Sequence, residues 1–317
     1  MKRVYSSQSG LQSLRFAALT AGFGVVSLAC SSAPEEAFQA HQSAEGAAVE
    51  QQQNLSSERD IGLNAEAIAR WLSHSAADKQ ASSFQLRADK SWGFENLELV
   101  SDATSSEEVP VLRVYYPAGS ASPSVSRGGG VALGGAQFYA DVEADLADQA
   151  QQERLHLSYR VRFSENFDFV KGGKLPGLFG GEGASGGNIP DGTDGFSARL
   201  MWRRDGQGEV YAYLPTSETY GTSIGQGSWR FRPGEWTRVE QEVTLNRPGE
   251  ADGRIRLWIN GDLAVDEAGL TFRTDDALRL DGLFFSTFFG GGDASWATPQ
   301  DVYADFADFT IGHVSER

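Results

Sequence analysis

The sequence predicts an all-β domain, a sandwich or jelly roll of antiparallel strands. Three observations carry this prediction. Short runs in which apolar and polar residues alternate recur along the chain, the period of a half-buried strand. Turn signals such as Asp205-Gly206-Gln207-Gly208, Pro233-Gly234 and Asn260-Gly261 separate them. Long helical patterns are absent from the same region.

Taken in order, the chain begins with Lys2, Arg3 and Arg15 ahead of an uncharged apolar run, Phe16 to Ala29, which reads as an export signal over residues 1–29. The run is short for a membrane-spanning helix. It ends in Ser27-Leu28-Ala29-Cys30, which resembles a bacterial lipoprotein box with Ser27 where a larger aliphatic residue is usual. Cys30 is therefore the expected lipidation site and the protein is expected at the cell envelope. A plain export signal, with secretion and an incidental cysteine, is the alternative. Residues 30–81 form an expected tether: Ser31 to Asp60 is rich in Ala, Gln, Glu and Ser, a composition that buries too little apolar surface to order itself. AEAIARWL, within 61–79, has a short helical period. The domain is expected over 82–317.

Strands are expected at 97–100, 111–116 and 136–140, and at 155–163, where Leu155, Leu157, Tyr159, Val161 and Phe163 face inward and His156, Ser158, Arg160 and Arg162 outward. The segment 143–153 is acidic and reads as a surface loop or a turn of helix. Phe169 to Leu178 reads as a glycine-rich loop carrying Lys171 and Lys174, suited to an anion but lacking the P-loop spacing. A mobile loop follows from Gly180 to Gly195. Its Asp191 and Asp194 are candidate calcium ligands, the commoner reading being a solvated loop. Further strands are expected at 228–231, 236–245, 254–259, 263–265, 283–289 and 303–311, with a type I′ turn at Asn260-Gly261.

The most informative stretch is GFSARLMWRRDGQGEVYAYLP, 195–215. It reads as a hairpin. Phe196, Ala198, Leu200, Trp202, Val210, Ala212 and Leu214 share one apolar face; Ser197, Arg199, Met201, Arg203, Tyr211 and Tyr213 share the other. Pairing about the polar turn sets Arg199 opposite Tyr213 and Met201 opposite Tyr211. Such a face is either an ordinary solvated surface or a chemical site.

Composition excludes several classes. The formal net charge is −16, and loss of residues 1–29 makes it more negative by three, so a basic field for nucleic acid is lacking. Cys30 is the only cysteine, which excludes a cysteine zinc site and disulfides within the domain. The four histidines, His41, His74, His156 and His313, lie outside the hairpin, so nothing supports a Ser-His-Asp reading of Ser197. No metal or other cofactor is expected.

KGGKLPGL at 171–178, FSARLMWRRDGQGEVYAYLP at 196–215 and FFSTFFGG at 284–291 together resemble polysaccharide lyase family 14, which includes alginate and glucuronan lyases. The resemblance runs from about Ser91 to Gly312. It implies a β-jelly roll, two antiparallel sheets with a concave substrate groove, and β-elimination on a uronic-acid polymer, alginate first and glucuronan second. It also implies catalytic roles for Ser197, Arg199, Tyr211 and Tyr213, and for one of Lys171 and Lys174, with Lys174 preferred. Many members carry cysteines around the loop before the hairpin, and this chain has none there. Tyr213 is the expected base and Tyr211 its assistant, on the argument that nearby cations favour a phenolate. Arg160, Arg203 and Trp229 are expected to bind substrate; Trp229, Phe288 and Phe289 either stack on sugar or fill the core. A hydrolase would need a carboxylate pair, which the polar hairpin face is read as lacking. A monomer acting on an anionic polysaccharide is expected. The rivals are a non-catalytic carbohydrate-binding jelly roll and a structural surface protein.

Overall fold

Alternating strands with one apolar face must bury that face, and two such sheets packed together are the stable solution. The computed structural model describes residues 61–63, 84–102, 110–142 and 153–313, and shows this arrangement. The export signal, Cys30, the AEAIARWL segment and the tether apart from Ile61–Leu63 lie outside the described residues, as does most of 143–153; Ile61–Leu63 is a strand of the first sheet, not tether. The first sheet runs, in spatial order, β13 (Asp262–Leu270), β12 (Gly253–Ile259), β11 (Thr237–Thr244), β6 (Arg154–Phe163), β15 (Val302–His313), β4 (Pro110–Tyr116) and β3 (Leu97–Ser101), with β1 (Ile61–Leu63) also on β15. The second runs β10 (Thr222–Ile224), β9 (Gly208–Tyr213), β8 (Gly195–Arg203), β7 (Gly172–Gly181), β14 (Gly282–Phe289), β5 (Ala136–Val142) and β2 (Phe84–Leu86). Strand neighbours are antiparallel throughout both sheets. The two-sheet jelly-roll expectation holds.

The core lies between the sheets. The inward residues of β6 meet Leu200, Trp202, Phe285, Phe289 and Phe306 there. Phe138 stacks on Phe285 at 4.6 Å, and Trp202 meets Phe163 and Phe289 edge-on. Each such side chain contributes roughly 1.5–3 kcal/mol by burial. Asn260 and Gly261 both have positive φ, 53° and 88°, as the expected type I′ turn requires.

Two expectations need correction. Residues 228–231 form only an isolated bridge, Gln207 to Arg230, because Trp229 and Phe231 turn inward as core residues. Lys171–Leu178 is not a loop: from Gly172 onward it is β7, in the middle of the second sheet. Its glycines mimic a loop signal but serve close packing. A Cβ on Gly173 would lie 2.0 Å from the Trp202 ring, and one on Gly177 2.1 Å from the Ala198 carbonyl.

Pro176 sits inside this central strand, where it donates nothing to the ladder, and the register shifts between Leu175 and Gly177. The first sheet reaches across the core to satisfy groups beside the shift. Tyr159 Oη donates to Pro176 O at 3.1 Å; Gln241 Oε1 accepts Leu178 N at 3.0 Å, and its Nε2 donates to Ala198 O at 2.7 Å. Gln241 is fully buried. Gln241→Leu strands two buried backbone groups and should destabilise the domain by about 2–4 kcal/mol. Urea unfolding checks this; an unchanged midpoint would mean that the bulge is held some other way.

Candidate active site

Strand alternation puts Phe196, Ala198, Leu200, Trp202, Val210, Ala212 and Leu214 in the core, as predicted. Ser197, Arg199, Met201, Arg203, Tyr211 and Tyr213 therefore project from the opposite face of the second sheet, its outer face. The register differs from the expected one. Ser197 pairs with Tyr213, Arg199 with Tyr211 and Met201 with Glu209. The chain turns over Arg204–Gly206, centred on Asp205, and Arg203 N donates to Gln207 O at 2.6 Å. Asp205 and Gly206 have φ of 59° and 73°. The expected pairings are centred on Gly206 and the observed ones on Asp205, and this one-residue difference moves each pairing by two.

The same alternation places Glu209 on this face, a residue missing from the six expected there. It is a single carboxylate rather than a pair, and both Arg203 Nε and Nη2 reach its Oε1, at 2.8 and 2.6 Å. Reading every second residue back from Tyr213 would have found it.

Arg199 is 1% exposed, and among the described residues it pairs with no carboxylate. Its Nη1 donates to Ser286 Oγ at 3.0 Å, its guanidinium lies 4.4 Å over the Phe284 ring, and its buried Nε has no partner. Lys174, from β7, stands beside it. Its Nζ donates to Met201 Sδ at 2.7 Å and sits 3.7 Å from the Tyr211 ring centroid. Both are soft, weak partners for an ammonium. Burial, then the Arg199 and Arg203 charges, hold the Lys174 amine well below the usual lysine range, and Glu209 opposes them.

Tyr211 and Tyr213 meet edge-on with centroids 5.6 Å apart. Burial is the largest cause raising the Tyr211 phenol, to about 12; Tyr213 adds to the rise and Arg203 opposes it. The expected phenolate-favouring effect of cations is thus outweighed by desolvation at Tyr211. Tyr139 of β5, stacked on Phe284 at 3.9 Å, is likewise pushed up to about 12 by burial.

The expected mobile loop, from Glu182 to Asp194, lies over this face. Ser197 Oγ donates to Ala184 O at 2.6 Å, and Gly187 N donates to the Tyr213 oxygen at 3.0 Å. Ala184 and Ile189 pack on Met201, Tyr211 and Tyr213. The phenols are therefore buried under a loop, not in the core between the sheets. Asp191 and Asp194 serve this loop's own turn: Asp191 Oδ1 accepts Thr193 N and Oγ1, and Asp194 Oδ1 accepts Asp191 N.

The structure thus brings Ser197, Arg199, Tyr211, Tyr213, Lys174 and Arg203 together. Lys171 stands apart at the start of β7, on Ser295 Oγ. Arg160 belongs to the outer face of the other sheet, paired with Asp308 and lying over Trp236. It is excluded from the cluster because the sandwich separates the two outer faces. Trp229 is core, against Phe231 and over Gly208, and is not a sugar platform. Phe289 is core, but Phe288 is half-buried and pairs with Lys174 across β14 and β7.

The family model for polysaccharide lyase 14 matches residues 104–309. Among solved structures, the marine PL-14 alginate lyase from Aplysia kurodai is 32% identical, over 81% of this chain and 100% of that chain, with a TM-score of 0.66. Alginate lyase Aly36B is 23% identical over 81% and 98%, TM-score 0.61, and alginate lyase vAL-1 from Chlorella virus 22% over 73% and 93%, TM-score 0.60. The last two show a common fold. No curated protein matches the chain.

The raised Tyr211 phenol has a stability consequence. Above pH 10 an unfolded tyrosine loses its proton while folded Tyr211 keeps it up to about 12, so stability falls across that window. Thermal melts from pH 9 to 12 should show a shallower fall in Tyr211→Phe than in the unmodified protein. Parallel curves would contradict the desolvation of this phenol.

Proposed function

Because the chain belongs to polysaccharide lyase family 14, and is thus a polysaccharide lyase, we propose that it cleaves a uronic-acid polymer, alginate foremost, by β-elimination. The observation that carries this reading is the pair of cations, Arg199 and Lys174, held on the outer face of the second sheet without a carboxylate in ion-pair contact among the described residues. An anionic sugar supplies the missing partner.

The C-5 proton of a uronate is weakly acidic while its carboxylate stays fully negative. Arg199 and Lys174 take up the carboxylate charge that grows as the proton leaves, and Ser197 turns its hydroxyl from Ala184 O to the same group. A preorganised donor of this kind is worth about 3 kcal/mol of barrier. Tyr213, acting as its phenolate, takes the C-5 proton. The C-5 electron pair forms the C4–C5 double bond, the C4–O4 bond breaks, and its electron pair leaves on O4. Tyr211, held protonated by burial, gives its proton to O4. The two phenols are neighbours, with ring centroids 5.6 Å apart, so the proton gained by Tyr213 can return to Tyr211. Protons and electrons balance, and the cycle closes.

Incubation with alginate or glucuronan, followed by the ultraviolet absorbance of the new C=C bond, tests the reading. Alginate should give the larger signal, and Arg199→Ala and Tyr213→Phe should each lower kcat by about 10²–10³-fold. Binding of both polymers without absorbance would exclude the lyase reaction on these substrates; full activity in Tyr213→Phe would remove that residue from the base role.

A further inference from the structure

Beyond the catalytic cluster, β7 begins at Gly172, directly after Lys171. Gly172 shares its face with Lys174, two residues on and about 6–7 Å along the strand. Its missing side chain would meet Arg203 Cδ and Trp296 Cζ3, each at 3.3 Å. Trp296 therefore lies on the same outer face as the cluster, with Arg203 beside it. Gly291 completes its seat: a Cβ there would come within 2.1 Å of the Trp296 ring. Both glycines have positive φ, 141° and 151°. Two strained backbone positions thus admit one indole, which remains half-buried instead of joining the core.

Lys171 accompanies it. Its Nζ is 5.9 Å from the Trp296 ring and donates to Ser295 Oγ, which donates in turn to Asp293; Asp293 Oδ1 also accepts Ser295 N at 2.8 Å. This relay fixes the ammonium. Among the described residues no carboxylate reaches ion-pair distance of it, whereas nearby Arg203 is matched by Glu209. Asp293 is close enough to feel the Lys171 charge without pairing with it.

We propose that Trp296 and Lys171 form a further sugar subsite of the groove. It stacks one sugar ring on the indole and pairs that sugar's carboxylate with the ammonium, one residue along the polymer from the sugar being cleaved. This rests on the polyuronate reading above. Aromatic rings present area at little entropic cost, and a fixed cation adds selectivity for a charged sugar over a neutral one. Lys171 thereby acts in substrate binding and not in the chemistry, which separates the two lysines of the KGGKLPG motif.

Calorimetry with a length series of oligouronates tests the subsite in a Tyr213→Phe background, where turnover does not interfere. Trp296→Ala should weaken binding of the longer oligomers about tenfold, an effect of hot-spot size, and leave the shortest bound fragment unchanged. Trp296→Phe should recover much of the loss. Lys171→Ala, a surface change that spares the fold, should weaken the same oligomers about threefold and lower the salt dependence of binding. Without the Tyr213 change, Trp296→Ala and Lys171→Ala should raise KM for polymer while kcat stays within about twofold. Affinities unaltered by either substitution at every length, or a loss of kcat at constant KM, overturn the subsite. If the unmodified protein binds oligouronates but forms no product, the lyase reading fails while the subsite is judged by the binding data alone. If it binds none, both fail.

Discussion

A buried guanidinium without a carboxylate partner is the feature on which the site depends. Removing an ion from water costs several kcal/mol even after relaxation, and only good partners offset it. Arg199 receives one hydroxyl, one aromatic face and the partial charges of nearby phenols. Lys174 receives a thioether and another ring. Among the described residues, the other buried and half-buried arginines pair with carboxylates, among them Arg113 and Arg162 with Asp305, Arg256 with Glu242, and Arg203 with Glu209. The buried exception lies where, on the proposed function, an anion binds. On that reading an acidic protein acts on an acidic polymer through cations that its own carboxylates leave unneutralised.

Holding those cations in place falls to the fold behind them. Lys174 and Arg199 lie on adjacent strands, β7 and β8, on either side of the shift at Pro176. That shift is stitched by Gln241 and Tyr159 from the other sheet. The glycines of β7 let Trp202 and the Ala198 backbone approach closely enough to seat the strand. In front, the loop after β7 covers the hydroxyls of Ser197 and Tyr213 with its own backbone. In the proposed reaction the substrate replaces those two bonds.

Much of this was legible in the sequence, for identifiable reasons. The inward residues of 155–163 and the apolar face of 195–215 follow from a period of two, which is local. The family motifs located Ser197, Arg199, Tyr211 and Tyr213, and the structure chose Lys174 over Lys171 for the cluster. What failed was non-local. The hairpin register depended on a three-residue turn that the string Asp205-Gly206-Gln207-Gly208 does not distinguish from a four-residue one. Glycines that serve packing in β7 are written like glycines of a loop. Arg160 and Trp229 were assigned by residue type, whereas their sheet and face are set by the crossing of the two sheets. Trp296 carried no local signal, because its seat is made by Gly172, far away in sequence.

On the proposed function, Arg199 is retained at a cost to the free protein that an anionic ligand offsets. Thermal unfolding of the unmodified protein and of Arg199→Met, each with and without a saturating oligouronate, measures this most directly. An apolar replacement of similar length should leave the free protein as stable or more stable, by up to about 4 kcal/mol, while the ligand raises the melting temperature of the unmodified protein far more than that of the variant. A variant several degrees less stable without ligand, or equally stabilised by it, would contradict the account.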